Sequence, residues 1–375
     1  MKKIGALLLV LTLLFGMLAS LVACDDLSIP EENGGKNKKP GTSATQKDDV
    51  SASVTPSAPS TKTGISLPSV TKAGTYAVSA ASATDISSDT KITSGAIALI
   101  DVTNGRAVAS KNGSEKIYPA SMTKVMTVLL ACEKATDPLA LLTVSDAMIQ
   151  KYKTLDKPST AHTWQAGYQV TVEDALYMAI YKSDTYACWL LAEHVAGSEE
   201  AFVRMMNEKA TSLGCTNTNF KNCTGLFEQD HYTTAFDMAA IMAAAMNNPA
   251  ATKVMTSYEQ YVADIYIDGA KQSSLAVPMW SGWYTGRVEQ YPYVSSSGKK
   301  AVKYVGNGSD VEFIAGKTGY EDIPMNCFVT AGRDDQTGVV YVCVQVGRLS
   351  QTDAAVNSKT STADTRRVYY TYAKS

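Results

Sequence analysis

Tyr118-Pro119-Ala120-Ser121-Met122-Thr123-Lys124 is the stretch on which the reading of this chain turns. Pro119 stands just ahead of an apolar run, a pattern that predicts a helix from Ser121 to about Glu133. Positions i and i+3 share one face of a helix, so Lys124 can reach the Ser121 hydroxyl. A serine in the first turn also lies beside free backbone N–H groups, whose dipole favours developing negative charge. A free lysine is protonated at neutral pH and is no base, but burial and a neighbouring cation lower its pKa. Alone, Ser-x-x-Lys reads as a helix cap followed by an exposed lysine.

Context separates this match from its duplicates. Ser69 to Lys72, Ser88 to Lys91, Ser296 to Lys299 and Ser297 to Lys300 satisfy the same pattern, and Lys62-Thr63-Gly64 duplicates Lys317-Thr318-Gly319. Only Ser121 leads an apolar helix, and only Lys317 follows apolar strand sequence. Ser183 lies between the two, at the start of another expected helix. Lys317 is the candidate for the second cation beside Lys124.

Outward from this centre, Gly95 to Asp101 and Arg106 to Ser110 flank Asn104-Gly105, a hairpin signal. Thr171-Val172-Glu173-Asp174 has capping-box spacing. That helix is expected to break near Lys182, with Ser183 capping the next one as far as Val195 and Gly197 stopping it. Ser198 caps a further helix ending near Gly214, and Thr234 to Met246 reads as helical and stops at Asn247-Asn248-Pro249. Phe313 to Tyr320, Asn326 to Gly332 and Val339 to Gly347 read as three antiparallel neighbours, and Asp364 to Ala373 as a closing helix. The expected fold is α/β (α+β), with an antiparallel sheet built from both chain ends and helices between.

Lys2 and Lys3 precede an apolar run from Ile4 to Val22, the form of an export signal. Leu21-Val22-Ala23-Cys24 resembles the bacterial lipoprotein signal, with Cys24 as the lipidated residue; an uncleaved anchor is the alternative. The division is residues 1–23 signal, 24–75 lipidated cysteine and Ser/Thr/Lys/Pro-rich tether, and 76–375 catalytic domain, with folded sequence evident by Ile92. Either reading places the rest outside the cytoplasmic membrane.

The 375 residues are 45% hydrophobic and 19% charged, enough to build a real core. A formal charge of −2 gives no footing for nucleic acid. Three scattered histidines, His162, His194 and His231, argue against a His-rich metal site or a Ser-His-Asp triad. His194 reads as a packed core residue and His231 as a structural hydrogen-bonding one. Besides Cys24 there are six cysteines, read either as buried thiols or as disulfide partners. Cys327 and Cys343 are equidistant from Asp335 and would face each other in a hairpin centred there.

From Ile97 onward the chain resembles a serine-type D-Ala-D-Ala carboxypeptidase, a low-molecular-mass penicillin-binding protein of peptidase family S11. The nucleophile stretch carries the likeness together with Leu191 to Gly197, Gly225-Leu226, Asp230 to Ala235, and Gly316-Lys317-Thr318-Gly319-Tyr320. The resemblance implies the serine β-lactamase/D,D-peptidase-like fold. It makes Ser121 the nucleophile, Lys124 its base and Ser183 a proton relay. Lys317, Thr318, Gly319, Tyr320 and Thr185 become substrate-binding, with the Ser121 and Tyr320 amides as the oxyanion hole. No metal or cofactor is implied. The implied partners are peptidoglycan stem peptides and β-lactams, with a lipid-held, membrane-facing location and a monomeric state. The lipid on Cys24 would replace the amphipathic anchor that many relatives carry after an extra β-rich domain.

Two stretches depart from that family's pattern. The second motif, normally Ser-x-Asn, is Ser183-Asp184-Thr185, and a threonine lacks the paired donor and acceptor of an amide. Tyr258 to Val311 is aromatic, with Trp280, Trp283, Tyr284, Tyr291 and Tyr293, and reads as a satellite cluster more readily than as a glycan contact. Three competing readings follow: a D,D-endopeptidase using the same residues, a binding homologue without useful turnover, and a class A β-lactamase. The last needs a deacylating Glu-x-x-Leu-Asn, which Thr216 to Phe227 does not contain.

Overall fold

The computed structural model describes residues 65–67, 74–157, 159–256, 261–277, 292–294, 300–304, 311–322, 325–334, 336–350 and 358–373. The chain divides into two units, Met1–Thr61 and Lys62–Ser375, and the described elements belong to the second.

The strands are β1 (Thr84–Asp85), β2 (Ala96–Asp101), β3 (Arg106–Lys111), β4 (Leu141–Thr143), β5 (Tyr168–Thr171), β6 (Tyr261–Ile267), β7 (Ala270–Val277), β8 (Pro292–Val294), β9 (Lys300–Tyr304), β10 (Val311–Glu321), β11 (Met325–Asp334) and β12 (Val340–Val346). The helices are α1 (Lys124–Lys134), α2 (Asp146–Lys153), α3 (Val172–Tyr181), α4 (Thr185–Ala196), α5 (Glu199–Ser212), α6 (Ala235–Met246), α7 (Pro249–Met255) and α8 (Ser358–Tyr372).

Eight strands form one sheet in the order β1-β3-β2-β12-β11-β10-β9-β8, so the early hairpin pairs with the late strands as expected. Strand β2 reads as an unbroken apolar run because both its faces are covered. Ala96, Ala98 and Ile100 face the larger core with Val342, Val344 and Val346, where α6 packs on β2 and β12 and meets α1 behind. Ile97 and Leu99 face the other way, with Tyr341, Cys343, Val368 and Tyr369 under α8. The Asp364 carboxylate fixes that helix by accepting the Ser94 N–H at 2.8 Å and the Thr93 N–H at 3.0 Å. A second sheet, β4-β5-β6-β7, lies within the helical region.

Most local signals hold. Thr171 and Asp174 form the capping box of α3, Ser198 caps α5, and the helix read from Thr234 to Met246 is α6, with Thr234 as its cap. Others are corrected. Asp184, not Ser183, caps α4, its carboxylate accepting the Ala187 N–H at 2.9 Å. His194 is exposed, because the last turn of α4 rotates it out of the core. At residue 76, where the sequence reading starts the catalytic domain, the Tyr76 and Ala77 amides donate to the Leu213 carbonyl. Ile65, inside the stretch read as a tether, is 2% exposed in the larger core.

Cys327 and Cys343 do not face each other. Arg333 pairs with Val340, so the hairpin centre lies past Asp335 and the register sets Cys327 opposite Val346 and Thr330 opposite Cys343. All six described cysteines are buried free thiols. Cys24 and the export signal lie outside the described residues, as do Trp280, Trp283, Tyr284 and Tyr291.

Candidate active site

The chain enters the nucleophile stretch through strain. Ala120 holds φ +47, a left-handed conformation uncommon outside glycine, and a single 3-10 turn over Ala120–Thr123 leads into α1. Ser121 is half-buried at that turn, and Lys124 is 2% exposed one turn later. Lys124 Nζ donates to Ser121 Oγ at 3.1 Å and to the Thr224 carbonyl at 2.5 Å. Burial pulls the Lys124 pKa below the ordinary lysine value, against the raising influence of Cys188, Cys223, Asp184 and Glu321.

The Thr224 carbonyl is held in place by Asn222. Its Oδ1 accepts the Thr224 N–H at 3.2 Å, the Thr224 hydroxyl at 3.0 Å and the Gly225 N–H at 2.8 Å. Gly225 has φ +82, and a Cβ there would stand 1.9 Å from the Ala120 carbonyl oxygen. Only glycine lets this segment press against the nucleophile turn.

The second pair comes from β10 and the α3–α4 link. Lys317 is 2% exposed, and its Nζ donates to Ser183 Oγ at 3.1 Å and to the Thr318 carbonyl at 2.7 Å. Ser183 holds φ +53, a kink that takes it off the capping position and points it at the lysine. Burial lowers the Lys317 pKa to about 7, and the Lys124 charge adds to the lowering. The two lysine–serine pairs therefore form one site. Gly319 brings β10 against Ser121: a Cβ there would lie 3.1 Å from the Ser121 amide nitrogen. Thr318 is half-buried and Tyr320 is 60% exposed.

Thr185 is placed differently from its neighbours. It is fully buried, its hydroxyl lies 2.6 Å from Ser159 Oγ, and its N–H donates to the Thr160 carbonyl at 3.0 Å. Ser159 had no signal in the sequence, since the pairing spans 26 positions and two elements. Asp184 is enclosed beside it. Its carboxylate accepts the His162 N–H at 2.6 Å and the Trp164 indole at 3.2 Å, while burial pushes its pKa up.

His231 supports the site from below. The Lys221 N–H donates to its Nδ1 at 3.2 Å, which assigns the proton to Nε2 and directs it to Thr123 Oγ1 at 3.1 Å. Burial, then the Lys124 and Lys221 charges, lower its pKa to about 4, so it is a neutral structural imidazole. At the surface beside Ser121, Tyr118 and the 56%-exposed Phe227 have ring centroids 4.9 Å apart.

Ser121, Lys124, Ser183 and Lys317, drawn from one strand and two helix starts, form two buried lysine–serine pairs, and the fold around them is shared with solved DD-peptidases. The crystal structure of the Streptomyces K15 DD-transpeptidase matches with a TM-score of 0.57 at 19% identity, over 74% of this chain and 97% of that one. The D-alanyl-D-alanine carboxypeptidase structure from Mycobacterium tuberculosis matches with a TM-score of 0.54 at 21% identity, over 72% and 88%. The family model for peptidase S11, D-alanyl-D-alanine carboxypeptidase, matches residues 80–282. The chain belongs to that family. It is 37% identical to the D-alanyl-D-alanine carboxypeptidase DacF of Bacillus subtilis over 166 residues, 44% of this chain and 42% of that protein. It is 36% identical to DacC of Escherichia coli over 158 residues, 40% and 38% respectively. The chain thus spans about two fifths of the length of these curated relatives.

Proposed function

We propose that this protein is a serine D,D-carboxypeptidase that removes the terminal D-alanine from peptidoglycan stem peptides. The observation that carries the reading is the 3.1 Å contact from Lys124 Nζ to Ser121 Oγ in a site that lowers the lysine's pKa. Lys124 takes the Ser121 proton as the serine oxygen attacks the carbonyl between the two D-alanines. The Ser121 and Tyr320 amides receive the oxyanion. Ser183, held by Lys317, relays a proton to the departing D-alanine amine, and Lys317 with Thr318 binds the substrate carboxylate. Water then releases the shortened peptide. β-Lactams would occupy the same site and acylate Ser121.

The location belongs to the same proposal. Lys2, Lys3, the apolar run and Ala23-Cys24 support export and a lipid on Cys24, with the protein working as a monomer at the outer face of the cytoplasmic membrane.

A second reading, a binding homologue without useful turnover, is favoured by the enclosed Thr185 bonded to Ser159. Intact-mass spectrometry of the full chain with benzylpenicillin, beside Ser121→Ala, separates the two when combined with release of D-alanine from a stem-peptide mimic. A Ser121-dependent adduct with D-alanine release supports the carboxypeptidase. An adduct without release supports the binding homologue. Drug consumed with no adduct points to a lactamase.

A further inference from the structure

Asn222 is buried two residues ahead of the carbonyl that holds Lys124. Three donors converge on its Oδ1: the Thr224 N–H, the Thr224 hydroxyl and the Gly225 N–H. Its Nδ2 donates to the Leu226 carbonyl at 3.0 Å and to Glu228 Oε1 at 2.8 Å. Donors meet one end of the carboxamide and acceptors the other, so every polar atom of the side chain is engaged.

One of these bonds sets the direction of the Thr224 carbonyl. In a trans peptide unit the carbonyl and the following N–H point opposite ways in one plane. The Thr224 carbonyl and the Gly225 N–H belong to one such unit. Asn222 accepts that N–H at 2.8 Å, which turns the carbonyl away from Asn222 and toward Lys124 Nζ, 2.5 Å from it. The preceding carbonyl is anchored to the same helix. Thr127 Oγ1, three residues along α1 from Lys124, donates to the Cys223 carbonyl at 2.7 Å.

The direction matters because of what a neutral amine offers. It has two N–H groups and one lone pair, and a carbonyl can accept only from an N–H. With Thr224 holding one N–H, the lone pair is left to face Ser121 Oγ, 3.1 Å away. A carbonyl that swung aside would let the amine turn, and the lone pair would leave the line of proton transfer. We propose that Asn222 is a positioning residue for acylation, aiming the Lys124 lone pair at the Ser121 hydroxyl through the Thr224 carbonyl. This rests on the acyl-enzyme reading above. Asn222 itself touches no substrate and exchanges no proton.

The bland role for Asn222 is to hold its loop together. Benzylpenicillin acylation of the full chain, followed by rapid-quench intact-mass spectrometry at several drug concentrations, separates the drug's Kd from the acylation rate. Asn222→Ala is expected to acylate about 10²-fold more slowly, the cost of a small misplacement, with Kd within about twofold of wild type. The acid limb of its acylation rate should also move to lower pH, because the Lys124 ammonium loses the carbonyl that accepts from it. Asn222→Asp combined with Glu228→Gln exchanges amide and carboxylate at unchanged net charge. The exchange keeps an acceptor for the Gly225 amide and reverses the bond to residue 228. Only the Leu226 carbonyl loses its donor, so acylation should return to within about tenfold of wild type. Glu228→Gln alone keeps its acceptor oxygen and should stay within about threefold, the change expected of an exposed charge.

Wild-type acylation in Asn222→Ala overturns the proposal. So does a rise in Kd equal to the fall in rate, or an acid limb that stays in place, because each marks a loosened loop and not a misdirected amine. If Asn222→Ala does not fold, the exchange variant decides: recovery supports the aiming role, and acylation as slow as expected of the alanine overturns it. A wild-type chain that forms no Ser121 adduct at all overturns the acyl-enzyme reading itself, a different result from any of these.

Discussion

Lys317 donates to the hydroxyl of Ser183 at 3.1 Å, and Ser183 reaches it by holding φ +53 at a position its neighbour Asp184 caps instead. This division of labour between adjacent residues converts a helix start into part of the site. Removing the hydroxyl leaves the Lys317 ammonium buried with the Thr318 carbonyl as its remaining described acceptor. Ser183→Ala should cut penicillin acylation of Ser121 by about 10²-fold, the lower range for a proton-transfer group, with little change in far-UV circular dichroism.

Lys317 also makes stability depend on pH. The unfolded chain holds its proton up to about 10.5, whereas the folded protein releases it near 7. Between those values the unfolded state binds more protons, so stability rises with pH and the burden is greatest below pH 7. Replacing the charge with Lys317→Met should erase that rise. Urea unfolding across pH 7 to 10 should show wild type gaining roughly 3–5 kcal/mol relative to the variant.

His231 gives a separate, acid-side signature. An unfolded histidine takes its proton near 6.5, while this one resists until about 4. Its contribution is complete above pH 6.5 and is lost progressively as pH falls from there to 4. Wild type should lose roughly 3 kcal/mol from this group between those limits. His231→Gln, read by the same urea titration, should be less stable at pH 7 and flatter below it.

What could be read in advance was what chain-local rules decide. Capping at Thr171 and Ser198 needs only a short side chain and the next amides, and the strands around Lys317 follow from apolar runs and turns. The swap of cap from Ser183 to Asp184 could not be read, because both residues cap well. The choice is made by the His162 amide and the Trp164 indole, which reach the Asp184 carboxylate from another loop. The facing of Cys327 and Cys343 failed for a comparable reason. A small displacement of the hairpin centre moves every pair, and tertiary packing of β11 and β12 sets it. Ser121 and Lys124 were legible as a pair, whereas Ser159 enters only once loop packing is known.

The enclosed threonine of the second motif makes a graded prediction. Thr185 and Ser159 share one hydrogen bond at 2.6 Å with Thr185 fully buried. Thr185→Val keeps the shape and removes the hydroxyl, leaving half-buried Ser159 to seek another partner. Thermal unfolding should show a loss of about 1 kcal/mol. Thr185→Asn must displace Ser159 to fit, and overpacking of this kind costs about 1–3 kcal/mol. Stopped-flow acylation of both variants then weighs the hydroxyl: a fall in Thr185→Val below about a tenth of the wild-type rate would mean it touches the substrate.

Gly225 offers the sharpest structural test, because two independent constraints meet there. Its φ of +82 strains any other residue by about 1–2 kcal/mol. A methyl group would also sit 1.9 Å from the Ala120 carbonyl oxygen and 3.0 Å from the Ser121 amide nitrogen, so backbone must move. Gly197 is the control, with φ +77 and nothing within 4 Å of the methyl group that alanine would add. Gly197→Ala should therefore lose about 1 kcal/mol and acylate normally. Gly225→Ala should lose more than about 3 kcal/mol and acylate at least tenfold more slowly, since the clash falls on the turn that aims the nucleophile. Equal unfolding midpoints for the two variants would mean that the segment from Thr224 to Phe227 does not press on Ala120 as described.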